Sequence, residues 1–176
     1  MRNTVFAPLK FKKEKKLVSF SLNDAQNIAE PAEKEYPCFA LAFRLASIAF
    51  RYLGGDVAEV SGLKVVSHLP PEAGSRLVFE FIVAAANVKY KGNWNKVMPE
   101  SYIFVFTNEL RNLALHIWVK ESTFKGAGFF DLRNRVVNNK ATSEEKKLLL
   151  KYFQETLSNL LTKPDEELFI WKEVSI

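Results

Sequence analysis

The sequence predicts a mainly β domain with some helix: an antiparallel β-barrel capped by a C-terminal helix and led by a short N-terminal extension. Three observations predict it. Apolar and polar residues alternate through much of 57–132, the period of strands with one buried and one wet face. Proline and glycine, as in Pro70-Pro71 and Gly74, punctuate that region into short segments. Thr142-Ser-Glu-Glu145 then opens an amphipathic stretch, because the threonine hydroxyl can accept from the backbone N–H three residues on while the glutamate reaches back.

Residues 1–37 form the extension and connector, and 38–176 the barrel with its helix. Segments 5–9 and 17–22 read as short strands around the basic run Lys10-Phe-Lys-Lys-Glu-Lys-Lys16. That run reads as a solvated turn, a membrane-surface or phosphate patch being the alternative. The apolar stretch 5–9 is too short for a signal peptide. Residues 23–37 are polar and carry Pro31 and Pro37, as connectors do. The longest apolar segment, 36–53, contains Arg44 and Arg51. A charge at mid-bilayer costs about 2.5–3.5 kcal/mol, so the segment reads as buried core. Leu41, Leu45, Ile48, Ala49 and Tyr52 recur at helical spacing, whereas Arg44, Ala46, Ile48 and Phe50 alternate as in a strand. Helix leads for 38–46 and strand for 46–53.

Strands are then expected at 63–68, at 77–83, and at 88–95 with Tyr90 and Trp94 on the inner face and Lys89 and Lys91 on the outer. Segments 102–106 and 113–119 form a hairpin around 108–112, and 126–132 a further strand. The helix after Thr142 turns Leu149, Tyr152, Phe153, Leu157, Leu160 and Leu161 to one side and stops before Pro164. Segment 168–174 adds a last strand.

Composition bounds function only loosely. Of the 176 residues 48% are hydrophobic and 15 are Phe, which supplies a core and argues against disorder. A net charge of +5 is too small to mark a nucleic-acid binder. Cys38 is the only cysteine, so no intrachain disulfide forms, and a reducing, cytoplasmic setting is expected. His68 and His116 lack cysteine partners at zinc spacing, so no metal is expected. Cys38 has no base nearby in sequence and reads as a buried thiol. No phosphate-loop, nucleophile-elbow or zinc-protease motif occurs.

The order of elements resembles the PilZ domain, the bacterial receptor module for cyclic di-GMP, over roughly 44–160. PilZ domains carry an Asp/Asn-x-Ser-x-x-Gly turn, and Glu59-Val-Ser61-Gly62-Leu63 occupies that place here, with Gly74-Ser75 opening the next strand and 126–132 plus the helix closing the domain. The chain departs from the pattern: Glu59 replaces Asp or Asn, Lys64 stands where the glycine belongs, and 30–38 holds no counterpart of the family's Arg-x-x-x-Arg motif. The resemblance implies a non-catalytic regulatory or adaptor domain with a protein partner, no cofactor, and weak or absent cyclic di-GMP binding. Its implied ligand contacts are Glu59, Ser61, Gly62, Lys64, Arg133 and Arg135. Ser61 also reads as a turn serine bonded to backbone, and the two arginines as solvated loop residues. The alternative is a small basic barrel that binds single-stranded nucleic acid through Lys89, Lys91 and stacked aromatics. His116 and Trp118 share a strand face and form a candidate contact patch.

Overall fold

The basic run is mostly strand. Strands β1 (Leu9–Lys13) and β2 (Lys16–Phe20) pair antiparallel, joined by Glu14 and Lys15 at φ 51° and 65°. Two consecutive positive φ values define the mirror-image turn whose twist matches a two-residue hairpin. Lys10 and Lys12 stay exposed while Leu9 and Phe11 face the core. Lys13 ties the hairpin to the following helical layer, because its ammonium donates to the Phe81 carbonyl and lies over the Phe81 ring.

The computed structural model describes residues 6–29, 36–54, 58–71, 74–93 and 96–176. Most of the arginine-free segment 30–38, and Trp94 and Asn95 of the expected 88–95 strand, lie outside the described residues.

Ser21 caps α1 (Leu22–Ile28) in a reciprocal box with Asp24. Helix α2 (Cys38–Ala49) is buried on nearly every side, and a wider π-helical turn, Phe50–Gly54, ends it. The strand expected at 46–53 is therefore helix. An all-round apolar helix belongs at the centre of a domain, and α2 packs against α1, α3 (Ser75–Val83) and α5 (Ser143–Thr162). Strand β3 (Ala58–Glu59) pairs parallel with β1, giving a three-stranded sheet ordered β2-β1-β3. The N-terminal hairpin thus shares one core with the rest, Phe11 and Phe20 included.

The larger sheet has five strands, ordered β5-β4-β6-β7-β8. These are β4 (Leu63–Ser67), β5 (Val88–Tyr90), β6 (Ile103–Asn108), β7 (Leu113–Val119) and β8 (Phe169–Ser175). Strands β6 and β7 form the expected hairpin, β8 adds to β7, and β5 runs parallel to β4. Val65, Phe104, Phe106, Leu115, Ile117 and Phe169 line the inner face, where Phe79 of α3 meets the rings of Phe104 and Phe106. Val66, Ile103, Val105, His116 and Trp118 occupy the opposite, half-buried face.

The expected barrel is overturned: two separate sheets form and neither closes, the fold is mixed α and β, and the chain runs past its long helix to end on strand β8. Two expected strands are helices. In 77–83 apolar residues stand on both strand faces, so alternation has no grip. The helical period buries Val78, Phe79, Ile82 and Val83 and leaves Arg76 to pair with Glu80 at i,i+4. In 126–132, Gly126 and Gly128 take φ of 103° and 70° and turn the chain into α4 (Phe129–Val137). A side chain on Gly126 would strike the Tyr152 ring, so glycine is required there. Helix α5 starts as expected, with Thr142 and Glu145 in a reciprocal cap. Leu149 and Leu160 are buried, and Tyr152, Phe153, Leu157 and Leu161 pack partly against the core. Helix α6 (Asp165–Leu168) leads into β8. Among the described residues no helix is long and apolar enough to cross a membrane.

Arg44 is the one charge at the heart of α2, 3% exposed. It donates to the carbonyls of Leu160 (2.6 Å) and Lys163 (3.0 Å) at the end of α5 and pairs with the Asp165 carboxylate. Removing one partner of a buried pair strands the other charge and costs about 3–5 kcal/mol. Asp165→Ala is expected to lose stability in that range in denaturant melts. Lys151→Ala, which removes an exposed α5 pair with Glu155, is expected to stay within about 0.5 kcal/mol.

Candidate functional site

Two of the sequence-derived contacts sit in a single turn. Glu59 ends β3, and 60–62 form a short 3-10 turn into β4. Ser61 donates to the Glu59 carboxylate at 3.2 Å, Lys64 pairs with Glu109 of the β6–β7 loop, and Gly62 lies where a side chain would strike Leu110. These bonds stay within β3, β4 and that loop. Arg133 and Arg135 are on helix α4, not in a loop. Arg135 is half-exposed and pairs with Glu145 of α5. Arg133 is 5% exposed and turns inward, so the solvated-arginine reading is corrected for it.

Arg133 lines a cavity of about 260 Å³. The cavity is walled by the start of α2 (Cys38, Leu41), the start of α3 (Gly74, Ser75), Tyr102 before β6, α4 (Phe129, Val136) and α5 (Leu149, Phe153, Leu160). Its aromatic wall is built of rings in mutual contact: Tyr102 on Phe124 (4.4 Å between centroids), Phe124 on Phe129 (5.2 Å) and Phe129 on Phe153 (5.8 Å). Helix α4 is held in place by Asn134, whose side-chain amide bonds both the N–H and the carbonyl of Val97 at 3.0 and 2.9 Å.

The polar groups on this wall are few. Thr123 Oγ1 donates to the Leu168 carbonyl (2.9 Å), and Thr156 Oγ1 accepts from the Lys125 N–H (3.1 Å). Tyr102 and Arg133 share a hydrogen bond. Burial pushes the Tyr102 hydroxyl up, against the pull of the Arg133 charge, and burial also lowers the Arg133 guanidinium. Ser75 differs from the threonines: it is 0% exposed, and its Oγ is the buried side-chain polar atom without a hydrogen-bond partner among the described residues. Among the described residues lining the cavity, Arg133 is the single charged one.

Sequence reasoning reached Arg133 through the wrong structure and missed Ser75 as a lining residue. A signal was present: Phe129, Arg133 and Val136 stand at i, i+4 and i+7, one face of a helix. Cys38, expected as a buried thiol, is half-buried on the cavity wall. His116 and Trp118 lie together on the sheet's outer face, 5.9 Å between rings. Lys89 is exposed on the same face, while Lys91 lies beyond β5.

No protein-family model matches this chain, and no curated protein matches it either.

His68 is half-buried beside the cavity segment Leu69–Pro70. Burial first, then Lys91 and His116, hold its imidazole below the ordinary 6.5. Its folded pKa is thus depressed, so the unfolded chain takes up the proton first and stability falls as pH drops through about 6.5. An NMR titration is expected to show His68 protonating below 6.5. His68→Asn is expected to flatten that limb of the stability–pH curve.

Proposed function

We propose that this protein is a non-catalytic binding domain that encloses a small, mainly apolar molecule in the cavity between α2, α4 and α5. The observation that carries the reading is the cavity: about 260 Å³, walled by aliphatic and aromatic side chains with a few placed polar groups, the usual make-up of a ligand site. Sites for drug-sized molecules run from about 300 Å³, so the occupant is smaller than those. Binding rather than catalysis is supported by the lining. Among the described lining residues Ser75 has neither a histidine nor a carboxylate beside it to act as general base.

A protein partner is a second reading, favoured by the open face of the five-stranded sheet. There Trp118 and Val105 are half-buried and Ile170 is 55% exposed, while α3 packs on the opposite face.

The cavity reading is tested by methyl NMR during titration with 1-octanol. Saturable shifts are expected at Leu41, Leu149 and Leu160, with Leu22 unmoved. Val136→Phe is expected to fill the space and abolish those shifts while the protein stays folded. Shifts that spread evenly and never saturate would sink the reading.

A further inference from the structure

Strand β8 is an edge of the five-stranded sheet: β7 lies on one side, and among the described residues no strand lies on the other. Its hydrogen-bonding phase is fixed at both ends. The Lys120 N–H donates to the Leu168 carbonyl (2.8 Å), and the Ile176 N–H donates to the Asn112 carbonyl (3.1 Å). In an antiparallel ladder, directly opposite residues alternate between pairs that exchange hydrogen bonds and pairs that do not. Between those two ends, Ile170, Lys172 and Val174 therefore bond to Trp118, His116 and Ala114 of β7. Trp171, Glu173 and Ser175 turn their N–H and C=O groups the other way. Among the described residues no backbone bond reaches these three from the far side.

A row of unpaired backbone groups is a template for another chain, and sheets ordinarily keep such edges short or covered. The opposite edge, β5, has three residues. Strand β8 has seven, and Lys172, Glu173, Val174 and Ser175 are exposed. Its outer side chains run apolar, basic, apolar: Ile170, Lys172 and Val174, continuous with Trp118 and His116. The charge selects among occupants. Residue 172 is the midpoint of β8, so a second copy paired antiparallel over the whole strand would set Lys172 directly opposite its own counterpart. Like charges directly opposite destabilise a ladder, and opposite charges stabilise it.

Building on the protein-partner reading above, we propose that the partner adds to β8 as an antiparallel strand. It is an extended segment of another protein, with a carboxylate opposite Lys172 flanked by apolar residues opposite Ile170 and Val174. Main-chain bonds to Trp171, Glu173 and Ser175 hold the added strand, and its alternate side chains give specificity.

The probe is the acetylated, amidated peptide Thr-Val-Thr-Glu-Thr-Val-Thr, compared by amide NMR and calorimetry with the same peptide carrying lysine for glutamate. Saturable shifts are expected at the amides of Trp171, Glu173 and Ser175. The glutamate peptide is expected to bind about three- to tenfold more tightly than the lysine peptide, and Lys172→Glu to reverse that order. Glu173→Pro deletes an N–H that faces away from β7, a position where an edge strand accepts proline. It is expected to abolish binding with the rest of the spectrum unchanged, whereas Glu173→Ala, which keeps the N–H, leaves binding intact. Equal affinity for the two peptides, or binding that survives Glu173→Pro, would overturn the inference. Concentration-dependent dimers in light scattering that Glu173→Pro disperses would overturn it in favour of a second copy. Shifts confined to Trp118 and Val105 would remove the edge while the open-face reading stands. If neither edge nor face responds, both fall.

Discussion

Arg44 is the constraint on which the arrangement of helices depends. An apolar helix at the centre of a domain has no intrinsic preference for where its neighbour ends. The guanidinium supplies one by bonding two carbonyls of the last turn of α5 and the Asp165 carboxylate that opens α6. Those carbonyls carry the negative end of the helix dipole, so the cation neutralises a helix terminus and a side chain at once. Phe6 and Phe169 flank it, with centroids 4.7 and 5.8 Å from the guanidinium carbon. Arg51, in the π-helical turn that ends α2, reaches the second oxygen of the same carboxylate. The path of the chain from α5 through α6 into β8 is thereby pinned to the central helix.

The cavity is a by-product of the same geometry. Helix α5 meets the α2 segment through Tyr36 against Phe153 at one point and Arg44 against Leu160 at another. Between these contacts the wall residues are Leu41 and Thr156, and α4 closes the side with the Phe129 ring and Arg133. Interiors pack to crystal-like density with few voids larger than a water molecule, so a cavity of this size beside a buried hydroxyl that has no partner among the described residues is a departure from ordinary core packing. Such departures from local optimality concentrate where function resides.

What could be read from the sequence follows the kind of signal each segment carries. Thr142 to Glu145 is a local hydrogen-bond pattern, and it places α5 correctly because nothing tertiary competes with it. The β6–β7 hairpin is legible because Phe104, Phe106 and Ile117 alternate with half-buried neighbours. Arg44 argued for core over membrane, and the core is where it lies. The segments 77–83 and 126–132 misled for opposite reasons. The first is apolar at both strand parities, so period alone does not distinguish helix from strand. In the second the glycines turn the chain into a helix, a matter of backbone dihedrals that composition does not record. The barrel expectation, and the PilZ resemblance built on it, leaned on both. Arg133 was identified as a residue of interest, yet its burial depends on α4 being a helix. Ser75 had no local signal, because an unsatisfied hydroxyl is defined by what fails to surround it in space.

The separation between Arg44 and Asp165, 121 positions along the chain, bears on the order of events in folding. The β6–β7 hairpin closes across a short loop and can form in microseconds. The guanidinium clamp requires most of the chain to be gathered first, and distant contacts bring the larger loop-closure cost. An interaction that assembles after the rate-limiting step acts on the lifetime of the native state, not on the speed of reaching it. The central arginine is thus a latch: it holds α5 and β8 in place once the rest of the chain has brought them there.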